Sequence, residues 1–321
     1  MKRQRLVAAA VLTVVLIGAL VLAIAARRGD EPAADESAPT TTPAASTSTE
    51  QATTTRAPTT TTVAPTTTVP VTAAPTAAPT TPAPAAAPPP NPVSSPAPTG
   101  LGAVRGRVIA IDPGHNGGNY AHASEISRPV FIGTQTRACD TTGTQTADGY
   151  TEAAFALDVS LRLQALLQAA GATVVMSRTT NDGWGPCIDE RAAFGNRAHA
   201  AVAISVHADG GPPDGRGFHV NMPALVSGYT DDIYAASHRL GVDLRDAYLS
   251  TGMPTSTYFG SEGLVERSDL GGLNLSDVPK VLVETGNMQS ATDAALLESA
   301  DFRQRAAQAL ADGIASYLAG R

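Results

Sequence analysis

Four residues spread over the C-terminal two-thirds of this 321-residue chain, His115, Glu152, His207 and Glu284, carry side chains that could do chemistry together. Two imidazoles and one carboxylate are the ligand types of a catalytic zinc site that keeps one position open. A further carboxylate beside them can serve as a base. The set reads as that of a metal-assisted hydrolase.

The elements that must gather these residues follow from the pattern of apolar side chains. Residues 108–112 form a short apolar run stopped by Pro113-Gly114, with His115 immediately after. Lacking polar alternation, the run suits a strand covered on both faces, as in a parallel sheet with helices on each side. Residues just past the carboxyl ends of such strands line a ligand crevice. A second run, 201–206, leads into His207-Ala208-Asp209-Gly210-Gly211, and a third, 281–283, into Glu284-Thr285-Gly286-Asn287. Two histidines after two buried strands share one end of the sheet if the strands are parallel. An acid in the same crevice is costly to bury without a partner, and a metal supplies one. Glu152 instead opens a helix: Phe155, Val159, Leu163, Leu166 and Leu167 recur at three- and four-residue intervals, and Gly171 closes it. A helix dipole favours a carboxylate in the first turn for structural reasons alone, so Glu152 counts as a ligand only by the company it keeps.

Further strands are expected at 172–176 and 218–221, and helices within 187–200, 230–249 and 301–318. The charges Glu190, Arg191 and Arg197 read as a solvated helix face. Residues 116–150 read as a long loop rich in Gly, Thr and Ser. His122, His199 and His238 lack ligand-like spacing and read as surface or loop residues, and Trp184 as a loop anchor rather than a sugar-stacking platform.

Composition divides the chain into three parts. Residues 6–26 carry no charge, and about 20 apolar residues suffice to span a hydrocarbon core of roughly 30 Å. An uncleaved anchor over residues 1–28 is therefore expected, rather than a removed signal peptide cut after Ala23-Ile24-Ala25. Lys2, Arg3 and Arg5 favour the N-terminus inside, which leaves the rest outside the cytoplasm. Residues 29–100 are mostly Thr, Pro and Ala, too poor in large apolar surface to fold, and read as a disordered tether. Residues 101–321 hold 16 basic and 24 acidic side chains, a net charge of −8 that excludes nucleic acid as a partner. Cys139 and Cys187 both fall in this part. An oxidising exterior favours a disulfide between them, whereas a reducing compartment would leave two free thiols.

The motifs Ile111-Asp112-Pro113-Gly114-His115, Glu152 at a helix start, Ser205-Val206-His207-Ala208-Asp209 and Val281-Leu282-Val283-Glu284-Thr285-Gly286 occur in this order. On these the segment from about residue 105 onward resembles the zinc-dependent N-acetylmuramoyl-L-alanine amidases of the amidase-3 type. It is most similar to their short actinobacterial and mycobacterial members, which share paired loop cysteines and a run like Gly215-Arg216-Gly217-Phe218-His219-Val220-Asn221. The resemblance implies an α/β domain with a mainly parallel twisted sheet flanked by helices, and one zinc ion held by His115, Glu152 and His207. Glu284 would be the catalytic carboxylate. The expected substrate is peptidoglycan or muropeptides, cut at the amide between N-acetylmuramic acid and L-alanine, at the extracytoplasmic face of the cell envelope. A monomer is expected. Arg267 and Asn274 lie in a segment that the resemblance places along the substrate groove, and His219 suits either a hydrogen bond to substrate or packing. Asn116 stands where many members have glycine after the first histidine, and Asn287-Met288 replaces a usual aromatic or aliphatic pair; both bear on substrate preference. A zinc peptidase acting within the stem peptide would use the same chemistry and differ only in its products. A non-catalytic peptidoglycan-binding regulator would be expected to have lost one of the four residues.

Overall fold

The apolar runs without polar alternation become the inner strands of a six-stranded sheet in the computed structural model, which describes residues 100–320. The expected membrane segment (1–28) and, but for Gly100, the expected tether (29–100) lie outside the described residues. Among the described residues no helix is long and apolar enough to cross a membrane. The strands are β1 (Val108–Pro113), β2 (Pro129–Phe131), β3 (Thr136–Ala138), β4 (Thr173–Met176), β5 (Val202–Asp209), β6 (His219–Pro223), β7 (Leu264–Arg267) and β8 (Lys280–Asn287). The helices are α1 (Ala123–Ile126), α2 (Glu152–Ala169), α3 (Ile188–Arg197), α4 (Tyr234–Tyr248), α5 (Gly271–Asn274), α6 (Ala291–Leu297) and α7 (Ala300–Ala319).

The sheet order is β4-β1-β5-β8-β6-β7. Strands β4, β1, β5 and β8 run parallel, while β6 is antiparallel to β8 and parallel to β7. The mainly parallel sheet is thus a mixed one.

Its two faces differ because side chains alternate along a strand. Ile109 and Ile111 of β1, with Val202, Ile204 and Val206 of β5, meet α2, α4 and α7 through Phe155, Val159, Leu163, Leu240, Leu244, Leu310 and Ile314. On the other face Ala110 and Ala203 leave room for α3 to approach closely. A Cβ added to Gly195 of α3 would stand 3.5 Å from both alanine methyls. The thick apolar layer holds the domain together; the thin face carries the polar residues Asp112, Ser205 and Lys280, all buried.

Two expectations need correction, and one strand was not expected. Residues 116–150 are more than a loop: they contain α1 and the hairpin β2–β3, with Val130 opposite Arg137. Strands of three residues, with Val130 the only buried side chain in the pair, have too few positions to show a period, which is why the sequence hides them. Strand β7 was hidden for the same reason. Arg191, for its part, is not on a solvated face but 5% exposed. Cys139 and Cys187 are bonded to one another, joining the end of the hairpin to the residue that caps α3.

Candidate active site

Pro113-Gly114 ends β1, and His115 follows in a left-handed backbone conformation with φ 52°, which costs a non-glycine residue on the order of 1–3 kcal/mol. Arg191 holds it there, donating from Nη2 to the His115 carbonyl (2.8 Å). Gly114 is obligatory in this turn, since a Cβ would lie 2.3 Å from the His207 ring. Nδ1 of His115 faces the Thr141 carbonyl at 3.0 Å and Asp140 Oδ1 at 3.3 Å, leaving Nε2 3.2 Å from Glu152 Oε2.

Glu152 is the first residue of α2, behind the Thr151 cap. Its carboxylate is oriented by the Thr144 N–H, donating to Oε2 (3.0 Å), and the Ala208 N–H, donating to Oε1 (3.3 Å). His207 Nδ1 lies 2.8 Å from Oε1. The ligand atoms of His115, Glu152 and His207 all fall within 4.8 Å of one another. Gly143 backs directly onto them: a Cβ there would stand 2.8 Å from both Glu152 Oε2 and His115 Cδ2. Burial works against charge on His115, yet Glu152 and Asp140 hold its imidazolium up at about 10. Burial likewise opposes the Glu152 carboxylate, and His115 and His207 nevertheless keep it well below the usual carboxylate range. The trio binds positive charge tightly, and two imidazoles with one carboxylate are a donor set that suits a zinc ion.

Register places Glu284 of β8 between His207 of β5 and His219 of β6, so the three stand in one row across the sheet. Glu284 Oε2 is buried and has no hydrogen-bond partner. Burial, then Glu152 and Asp209, push its carboxyl well above the ordinary glutamate value, against a weaker pull from His115 and Arg267. His219 is buried beside Phe259, with ring centroids 5.2 Å apart, and burial lowers it to about 4, so it is a neutral imidazole at pH 7. Arg267 ends β7 and grips Asp269 with Nε and Nη2 (2.7 and 2.8 Å). Arg137 of the hairpin donates to the same carboxylate (2.9 Å). These three line a cavity of about 420 Å³ that reaches His115 and His207. Asn274 is elsewhere: fully buried, it donates to the carbonyls of Ile132 and Ser268 and ties the hairpin turn to the segment after β7.

A family model described as N-acetylmuramoyl-L-alanine amidase matches residues 109–316. The chain belongs to this amidase family. It is 44% identical over 218 residues to N-acetylmuramoyl-L-alanine amidase Rv3717 of Mycobacterium tuberculosis, a match covering 67% of this chain and 88% of that protein. The crystal structure of Ami1 from Mycobacterium smegmatis is 43% identical, with a TM-score of 0.64 over 68% of this chain and 99% of that one. The apo form of Ami1 from Mycobacterium abscessus is 40% identical, with a TM-score of 0.63 over 67% of this chain and all of that one.

In this amidase a charged framework lies under the row, and sequence reasoning missed most of it. Asp112 accepts from Ser177 Oγ (2.6 Å), Ser205 Oγ (2.8 Å), Arg191 Nη1 (2.8 Å) and Lys280 Nζ (3.3 Å). Arg191 also donates to Asp140 Oδ2 (2.9 Å) and the Pro113 carbonyl (2.7 Å). Buried Arg178 donates to the carbonyls of Gly114 (2.8 Å) and Ala153 (2.7 Å), joining the turn before His115 to the start of α2. The legible sign of Arg191 was its place in the stripe 188, 191, 192 and 195, the i, i+3, i+4, i+7 face of α3. His122, His199 and His238 do not join the ligand trio. His122 stacks on Trp184, His238 Nε2 faces the Pro223 carbonyl, and His199 is exposed.

Proposed function

We propose that this amidase binds one zinc ion through His115, Glu152 and His207 and hydrolyses the amide between N-acetylmuramic acid and L-alanine of peptidoglycan. The observation that carries the reading is the convergence of those three ligand atoms within 4.8 Å, with Glu284 in register beside His207. Zinc bound there supplies a Lewis acid and lowers the pKa of a water molecule towards about 7. Glu284 receives the proton of the attacking water and returns it to the departing L-alanine nitrogen. Burial and the neighbouring carboxylates of Glu152 and Asp209 raise the proton affinity of Glu284, which suits it to take the proton from water. Thr144 and Ala208 keep Glu152 oriented, and Asp140 with the Thr141 carbonyl fixes the ring of His115. Arg267, on the cavity wall, and His219, beside Glu284, are the residues nearest to hand for contacting substrate.

The domain, residues 101–321, would work outside the cytoplasm as a monomer, held by an anchor within 1–28 and a tether over 29–100. The uncharged run 6–26 and the disulfide, which an oxidising exterior favours, support this placement. Zinc-loaded full-length protein in detergent should release intact stem peptide with a free L-alanine amine from defined muropeptides, as read by mass spectrometry, and chelation should stop it. Shortened peptide left on the sugar would instead make the protein a zinc peptidase.

A further inference from the structure

Two cavities flank the ligand trio, and their walls differ in kind. The one of about 420 Å³ sets charged side chains, including Arg137, Arg267 and Asp269, among the apolar Ile188, Leu273 and Leu282. The other, of about 490 Å³, is lined by the loop that carries Thr142, Gly143 and Thr144, and falls within the range of about 300–1,000 Å³ usual for small-molecule sites. No carboxylate, ammonium, guanidinium or imidazole lines it. Its polar side-chain groups are the hydroxyls of Tyr120, Thr142, Thr144 and Thr151 and the amides of Asn116 and Gln145. Asn116 follows His115, Thr151 and Ala153 flank Glu152, and a Cβ on Gly143 would touch both of those side chains, so the cavity adjoins the ligands.

Two further observations point to an occupant. Asn116 is 6% exposed, and its Nδ2 donates to the Gly185 carbonyl (3.1 Å), but its Oδ1 is buried without any partner. A buried acceptor left unpaired is an expense that a ligand hydroxyl or amide N–H removes. Tyr120, also in the wall, exposes 79% of its surface, an unusual state for a large aromatic ring. The loop that bears it is held in place: Gly118 N–H donates to the Gly183 carbonyl (2.8 Å) and Gly185 N–H to Asn119 Oδ1 (2.8 Å). Trp184, 42% exposed and stacked on His122, extends aromatic surface over the same pair of segments.

A neutral wall of hydroxyls and amides with exposed rings at hand recognises a neutral, polyhydroxylated ring carrying an acetamido group. A stem peptide, with both methyl groups and carboxylates, is better matched by the cavity that mixes apolar side chains with Arg137 and Arg267. We infer that the cavity lined by Asn116, Tyr120 and Thr142–Gln145 is a glycan subsite, so that the substrate lies across the trio with its N-acetylated sugar here and its stem peptide towards Arg137 and Arg267. This rests on the amidase reading. It also gives Asn116 a role in substrate preference.

The test compares two substrates with the same peptide, one carrying the N-acetylglucosamine–N-acetylmuramic acid disaccharide and one carrying only the lactyl group without a sugar ring. The zinc-loaded full chain should favour the first, and Tyr120→Ala should lower the ratio of the two kcat/KM values by roughly ten-fold, the scale of losing one contact surface in a pocket. Tyr120→Trp should preserve the ratio, and Asn116→Ala should lower it as well. Calorimetry adds an arm that needs no turnover: the peptide-free disaccharide should bind metal-free protein and bind Tyr120→Ala more weakly. A ratio unchanged in Tyr120→Ala, or disaccharide that fails to bind or binds that variant equally well, overturns the subsite. If the wild type cleaves neither substrate, the amidase reading falls instead, and the calorimetry alone decides the subsite.

Discussion

Asp112 and Glu284 are both carboxylates on the α3 face of the sheet. Asp112 pairs in register with Ser205, and Glu284 with His207, two residues further along the same strand. Asp112 collects four donors, and Lys280, Arg191, Ser177 and Ser205 together overcome its burial and keep it well below the usual carboxylate range. Glu284 has a buried oxygen with no donor, and burial drives it the other way. The contrast separates framework from chemistry: where every lone pair is spoken for, the group cannot move a proton, and where one is left open it can.

Removing each member of the pair should therefore fail in opposite ways. Glu284→Ala should lower release of stem peptide by about 10²–10⁴ while leaving urea stability equal or higher, because it deletes an unpaired buried polar group. Turnover within ten-fold of wild type would show that Glu284 is not the proton carrier. Arg191→Met strips a partner from Asp112 and Asp140 together, and should cost about 3–5 kcal/mol in urea unfolding, the range for breaking a buried ion pair. A cost below about 1 kcal/mol would mean that Lys280, Ser177 and Ser205 suffice without it.

The smallest effect concerns His219. Its folded value of about 4 lies below the unfolded value of about 6.5, so the unfolded chain takes the proton first as pH falls. Stability from this group is fully present above about pH 6.5 and is lost progressively down to about pH 4, by about 1 kcal/mol at pH 5.5. Melting curves of wild type and His219→Asn should converge over that interval, and parallel curves would show that His219 carries no such linkage.

The parts of the fold that recur with a period were legible in the sequence. The inner strands and helices α2, α4 and α7 stood out because their apolar side chains repeat. His115 and His207 could be placed at one sheet end because both follow buried runs. What stayed hidden depends on distant partners. Arg191 and Arg178 look like ordinary surface charges until the fold brings Asp112, Asp140 and the carbonyls of Gly114 and Ala153 around them. Asn274 looked like a groove residue and is a buried tie, because its partners, Ile132 and Ser268, belong to a hairpin and a loop with no periodic signal. The pairing of His219 with Glu284 required the reversal of β6 against β8, which no local pattern encodes.

Gly143 carries a consequence for judging homologous sequences by inspection. It has a positive φ of 74°, lies outside every ligand motif, and leaves no room for even a methyl group beside Glu152 and His115. A sequence that retained His115, Glu152, His207 and Glu284 but carried a larger residue at this position would pass a motif search and still have a crowded, misaligned ligand trio. Such a sequence would keep all four residues and lose the spacing by which three of them could hold a metal, and the glycine is the position that would betray it.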